Sequence, residues 1–434
     1  MKMGMKFSQG ITLNRNYADD FCDCIAEIIS FFSANLRRNI MLFSLAIFLL
    51  FGLLLGSMFN KLKLPGLLGM ILAGILLGPH ALNLVDDTMI TLSPSLRQFA
   101  LVVILTRAGL SLDLDELKKV GRPSLLMCFV PATFEIIGVV LIAPRLLGIN
   151  VLDAAIMGSV LAAVSPAVVV PRMLKLKSEG YGTNANISEL ILAGSSVDDI
   201  FVIVIFTALT SLSAGKSFHA INLLEIPISI LLGVLIGIIV GFLLYKFYLM
   251  NQMNETIKVL ILLSISFLLL QLENSLKNII PISGLLAIMS LGIMLHHLNK
   301  EEANRLSISY NKLWIFAEIL LFVLVGISLD LNYVQKAGIG AILVVVLALG
   351  VRMLGVFVSL LKTKLDKKER FFCMLAYTPK ATVQAAIGGI PLSMGLSSGR
   401  DVLTIAILAI LITAPFGAIS IDKTYKRLLK KEIK

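Results

Sequence analysis

Two adjacent carboxylates, Asp198 and Asp199, stand inside ISELILAGSSVDDIFVIVIFTALTSLS, an apolar run from Ile187 to about Ser213. On insertion scales one Asp at the centre of a membrane helix costs roughly 2.5 to 3.5 kcal/mol, so a pair of them requires a chemical reason. Burial favours the protonated form of a carboxyl group, and a nearby cation favours the ionised form. A buried Asp thus holds either a proton or a small cation, and that competition is itself an exchange mechanism. Successive helical residues diverge by about 100°, so the two carboxylates face different neighbours.

Three more charges fall within apolar runs near two prolines. Pro166 in AAVSPAVVV and Pro379 in LAYTPKATV each remove a backbone donor and bias the preceding residue, Ser165 or Thr378, away from the helical region. Both sites are expected to be unwound. Glu135 lies 31 residues before the first proline and Arg352 lies 27 before the second, in pseudo-equivalent runs with opposite charge. An unpaired buried charge is far more costly than a paired one, so Glu135 and Arg352 are expected to form an ion pair, read as a clamp rather than a direct participant in transport. Lys380 directly follows Pro379 and is expected to neutralise the exposed carbonyls of a half-helix end. Arg107 can snorkel, Glu318 can reach an interface, and His296 with His297 mark the end of a run without an assigned role.

The elements that position these groups are membrane helices. Of 434 residues, 57% are hydrophobic and 15% charged, with a mean hydropathy of +0.93. Soluble globular chains have roughly 45 to 50% apolar residues, so this composition defines a polytopic membrane protein. Runs of about 20 residues, the length that spans the hydrocarbon core, begin near residues 41, 64, 95, 122, 152, 187, 223, 257, 279, 312, 338, 370 and 401. That gives about thirteen spans. With the tail KTYKRLLKKEIK in the cytoplasm, one side of the membrane collects 24 of the 38 Lys and Arg and the other 11. The positive-inside rule accounts for the net charge of +11, and nucleic acid is not an expected partner. The N-terminus is then external, and residues 1–40 form an arm that can hold an interfacial helix. The four cysteines follow neither a disulfide nor a zinc spacing.

The chain also repeats itself. GLLGMILAGILLG at 66–78 resembles GLLAIMSLGIMLH at 284–296, GLSLDL at 109–114 resembles GISLDL at 326–331, and AAVSPAVVV at 162–170 resembles LAYTPKATV at 375–383. The offsets are 218, 217 and 213. An odd number of crossings between matching runs makes the repeats inverted, and inverted repeats with broken helices near the midplane mark secondary transporters. The expected fold is all-α, with about thirteen transmembrane helices in two inverted repeats and paired discontinuous helices that cross. The expected organisation is an arm at 1–40, a first repeat at 41–213, a connecting helix at 214–256, a second repeat at 257–421 and a basic tail at 422–434.

AAVSPAVVVPRMLKLKSEGYG at 162–182, SSVDD at 195–199 and TPKATVQAAIG at 378–388 together resemble the sodium/proton exchanger domain of the cation/proton antiporter-2 group. They are most similar to its NHA branch, which includes the animal sodium/hydrogen exchangers of the 9B subfamily. The resemblance covers about residues 41 to 421. It implies that Asp199 carries the cation and the proton, that Asp198 supports the site, and that Ser165 lies beside it. It also implies a homodimer in the cell membrane, a role in pH homeostasis, a dimerisation panel of spans one to three with eight to ten, and a mobile core of spans four to six with eleven to thirteen. Many DD-type relatives carry a lysine where this chain has Arg352, and arginine does not deprotonate in proteins. A second proton carried by a lysine at that position is therefore unavailable.

The expected function is exchange of Na+ or Li+ for H+, with no cofactor and no enzymatic step. The alternatives are a K+/H+ antiporter or a sodium-coupled solute symporter on the same fold. An intramembrane aspartyl protease needs two acids facing each other from separate helices, and neighbours in sequence cannot do this.

Overall fold

The computed structural model describes residues 41–431, apart from 113–120, 214–221, 252, 277–279 and 281. The expected N-terminal arm at 1–40 and the last residues of the tail lie outside the described residues.

Among the described residues, ten helices are long and apolar enough to cross a membrane, with Arg122–Leu147 and Val151–Glu179 each taken as one crossing. Gly66–Leu77 and Gly284–Leu298 are apolar but shorter. The run expected to span 370–394 consists of three short helices, α14 (Lys367–Ala376), α15 (Thr382–Ile387) and α16 (Ile390–Ser393). Large apolar side chains face outward as well as inward, including Leu50, Leu231 and Leu268. A chain surrounded by hydrocarbon needs no polar outer face, and helices satisfy their own backbone groups there.

The helices pack in two groups. In the first, α1 (Met41–Lys61), α2 (Gly66–Leu77) and α3 (Asp87–Ser111) pack with α9 (Asn222–Met250), α10 (Glu255–Leu276), α11 (Gly284–Leu298) and α12 (Lys300–Ile327). Glycines set the closest approaches. A Cβ on Gly74 would lie 2.0 Å from the Val323 carbonyl and 2.9 Å from Gly326 Cα, and one on Gly109 would lie 2.4 Å from the Met289 carbonyl and 3.1 Å from Gly292 Cα. These two crossings join α2 to α12 and α3 to α11 through backbone contact that no larger residue permits. Gly74 and Gly292 fall at matching places in one sequence echo, and Gly109 and Gly326 in the other, so the two contacts use positions that the sequence echoes match.

The second group contains α4 (Arg122–Met127), α5 (Val130–Leu147), α6 (Val151–Leu161), α7 (Pro166–Glu179), α8 (Ile187–Ser213), α13 (Leu331–Ser359), the three short helices and α17 (Gly399–Leu428). Its main seam is α5 against α13. Within α13 the chain turns at Gly338, whose φ of +59° is readily adopted only by glycine. The tail end of α17 is fastened to the loop before α8: Gly182 N–H donates to Lys430 O at 2.8 Å, and Tyr425 Oη donates to Glu179 Oε2 at 2.8 Å.

Candidate functional site

Two interrupted helices meet at the centre of the second group. Helix α6 stops at Leu161 and α7 starts at Pro166, while α14 stops at Ala376 and α15 starts at Thr382. Ser165 N–H donates to Pro379 O at 2.7 Å, which ties one break to the other. A helix end leaves backbone groups without intrahelical partners, and burial makes each of them costly. Side chains supply what is missing. Lys380 Nζ donates to Leu161 O at 2.5 Å, Gln384 Nε2 donates to Leu161 O at 3.2 Å and to Ala163 O at 2.8 Å, and Arg352 Nη1 donates to Ala162 O. On the other strand of the crossing, Arg352 Nε donates to Tyr377 O at 3.0 Å and Lys380 N–H donates to Thr413 Oγ1 at 3.0 Å. Thr378 serves its own turn by donating to Leu375 O at 2.8 Å.

The same side chains form a buried charge network. Arg352 Nη1 lies 3.0 Å from Glu135 Oε2, Arg352 Nη2 lies 2.9 Å from Asp198 Oδ2, and Lys380 Nζ lies 2.6 Å from Glu135 Oε1. None of the four is more than 1% exposed. Two acids and two bases balance, and each charge has an opposite partner, which is the condition under which buried ions are tolerated. Val164 N–H also donates to Asp198 Oδ2, at 2.8 Å. The Tyr377 ring lies against the guanidinium, 5.3 Å from Arg352 Cζ.

Asp199 stands outside this network. Its Oδ1 is buried and accepts no hydrogen bond, and the same holds for Asp198 Oδ1 and Ser165 Oγ. Hard monovalent and divalent cations take oxygen ligands, so these oxygens have the donor chemistry of a dehydrated cation site. Among the described residues, no group of three or more His, Cys, Asp or Glu side chains is placed to hold a metal ion.

The structure thus brings Asp198, Ser165, Glu135, Arg352, Pro166, Thr378, Pro379 and Lys380 into one crossing, with Asp199 next to Asp198 on α8. Two links are absent from the sequence reading: Arg352 to Asp198, and Lys380 to Glu135. The signal was present in the uneven count of charges, because the three acids and two bases assigned to the surroundings of the two breaks cannot be exhausted by one pair. Arg107 faces Trp314, with Cζ 5.5 Å from the ring centroid, instead of extending into solvent. His296 is buried with Nδ1 2.7 Å from Leu110 O.

An all-helical bundle with crossed broken helices and a balanced charge network at their meeting point defines a multi-pass secondary transporter of ions, and not an enzyme. Residues 44–426 match the family model described as sodium/hydrogen exchanger, transmembrane, and the chain belongs to that family. It is 33% identical over 381 residues to sodium/hydrogen exchanger 9B2 of Homo sapiens, covering 85% of this chain and 70% of that one. It is 32% identical over 372 residues to sodium/hydrogen exchanger 9B1 of Homo sapiens, covering 82% and 71%. The fold is shared with the sodium proton antiporter MjNhaP1 from Methanocaldococcus jannaschii, with a TM-score of 0.74 at 20% identity over 88% of this chain and 97% of that one.

Proposed function

We propose that this protein exchanges Na+ or Li+ for H+ by alternating access, with the cation and the proton competing for Asp199. The observation that carries the proposal is the contrast between neighbours. Asp198 is held by Arg352 and the Val164 amide, whereas Asp199 Oδ1, Asp198 Oδ1 and Ser165 Oγ are buried oxygens without donors. An ionised Asp199 gains ligands and charge compensation from an entering cation, and a proton neutralises it otherwise, so occupancy by one expels the other. The names of the relatives, sodium/hydrogen exchangers and a sodium proton antiporter, agree with Na+ as the substrate.

In this reading the first group of helices is the static panel and the dimerisation surface, and the second is the core that moves with the site. The division into repeats at 41–213 and 257–421 joined by 214–256 draws support from the repeat-related glycine crossings. The charge asymmetry favours a cytoplasmic tail, an external N-terminus and residence in the cell membrane, where such exchange serves pH homeostasis.

Proteoliposomes loaded with a pH-sensitive dye test the function. Wild-type protein should move protons on addition of Na+ or Li+, and Asp199→Asn should not. A K+ response larger than the Na+ response would favour the K+/H+ alternative, and cation uptake without opposing proton movement would favour a symporter.

A further inference from the structure

Arg97 on α3 is the most anomalous charge outside the site. It is 8% exposed, Nη1 is buried without a hydrogen-bond partner, and no ion pair of the described residues includes it. The guanidinium lies against Gly389, where a Cβ would be 2.3 Å from Nη1 and 2.8 Å from Cζ. Gly389 has φ −89° and ψ −9°, a conformation open to any residue. Its lack of a side chain therefore makes room for the guanidinium and does not relieve the backbone.

The location adds meaning. Helix α14 begins beside the tail, with Lys430 Nζ 3.2 Å from Asp366 Oδ2, and the chain then passes through the break to reach α15 and Gly389. Gly389 thus lies beyond the crossing on the side away from the tail, and Arg97 reaches it from the other helix group. Ser93, one turn before Arg97 on the same face of α3, also has a buried hydroxyl without a partner. A cation that left the crossing in this direction would meet a bare positive charge in a low-dielectric seam.

We propose that Arg97 is the electrostatic barrier that closes the cation route between the two helix groups on the side opposite the tail, and that Gly388–Gly389 must slide off its guanidinium for that side to open. Burying an unpaired guanidinium is unfavourable. The closed state is accordingly poised, because opening hydrates Arg97 and relieves that burden. The proposal rests on the exchange reading for its purpose, but the barrier itself is read out without transport.

The experiment places Ile390→Cys in a background without the four native cysteines. Cationic and anionic methanethiosulfonates of similar size are applied from the face opposite the tail, with rates normalised to a free thiol. With Arg97 present, the anionic reagent should react faster, on the order of tenfold. Arg97→Gln should bring the ratio near one, and Arg97→Lys should keep the preference and serves as the charge-retaining control. Gly389→Ala, which displaces the guanidinium, should raise the labelling rate with both reagents. A ratio unchanged by Arg97→Gln, or already near one in its presence, overturns the barrier. Repeating the measurement in Asp199→Asn separates the two proposals, since the charge preference should persist there even though exchange is lost.

Discussion

Arg352 Nη2 lies 2.9 Å from Asp198 Oδ2, while the neighbouring Asp199 forms no ion pair with any described residue. One carboxylate thus has a fixed counter-charge and its neighbour has none among the described residues. The two Asp variants should differ in kind. Asp199→Asn should fold normally and lose exchange, whereas Asp198→Asn should remove a counter-charge from a fully buried guanidinium and cost about 3 kcal/mol or more of stability. Thermal unfolding of both purified variants checks this, and equal destabilisation would contradict it.

The four-charge network makes a specific statement about coupling. Glu135→Gln strands both Lys380 and part of Arg352, so it should be at least as damaging as Arg352→Gln. Adding Lys380→Met to Glu135→Gln should recover stability, with a coupling of about 1 to 3 kcal/mol. The Glu135→Gln, Arg352→Gln double variant should recover less, because Asp198 and Lys380 are then both left without partners. Additive effects in both cycles would mean that the contacts at 2.6 and 3.0 Å carry no energy.

Charge balance follows from the same contacts. Arg352 keeps its proton, and Lys380 Nζ lies 2.6 Å from Glu135 Oε1 and donates to the Leu161 carbonyl at 2.5 Å. If, as proposed, Asp199 alone exchanges its proton, each entering cation displaces one proton and the cycle moves no net charge. Flux in proteoliposomes with and without a potassium-valinomycin clamp should be the same. A voltage-dependent flux would make Lys380 or Asp198 a second proton carrier.

The clasp at the tail should not set the pH response. Asp366 caps α14 by accepting from Glu369 N–H at 2.8 Å, and this bond, aided by Lys430, holds its carboxyl below the usual carboxylate range. Its contribution is present above that usual range and is lost only as pH falls through the lowered value. Lys430 beside Asp366 is held above the usual lysine range, so its contribution is lost only as pH rises beyond that. Hydrogen exchange at the start of α14, corrected for intrinsic rate, should show constant protection between about pH 5 and 9.

The glycine crossings can be tested independently of the charges. Gly326→Ala sets a methyl group 2.1 Å from the Ile71 carbonyl, where backbone rather than a flexible side chain must give way. It should destabilise the protein by about 1 to 3 kcal/mol and leave the cation affinity of the remaining folded protein unchanged. A lost affinity with intact stability would argue that the panel contributes to the site.

Much of this was legible in the sequence because the physical signals were strong. A membrane span tolerates few charges, so Glu135, Asp198, Asp199, Arg352 and Lys380 stood out one by one, and proline chemistry located both breaks within a residue or two. Partner choice was harder, because it depends on how helices rotate against one another. The pairing of Lys380 with Glu135 arises because the crossing sets Lys380 against the end of α6, and α6 packs against α5, which carries Glu135. Arg97 was unreadable as a buried charge because it sits near the end of an apolar run, where arginines usually snorkel. Its low exposure and the close approach of Gly389 show that it is covered.

Competition of cation and proton for Asp199, as proposed, predicts that binding of one releases the other. The most direct measurement adds Na+ or Li+ to purified, weakly buffered protein and records proton release with a pH indicator. Wild type should release about one proton for each cation bound, and Asp198→Asn should release protons with altered affinity. Asp199→Asn should release none. Undiminished release from folded Asp199→Asn would contradict the account.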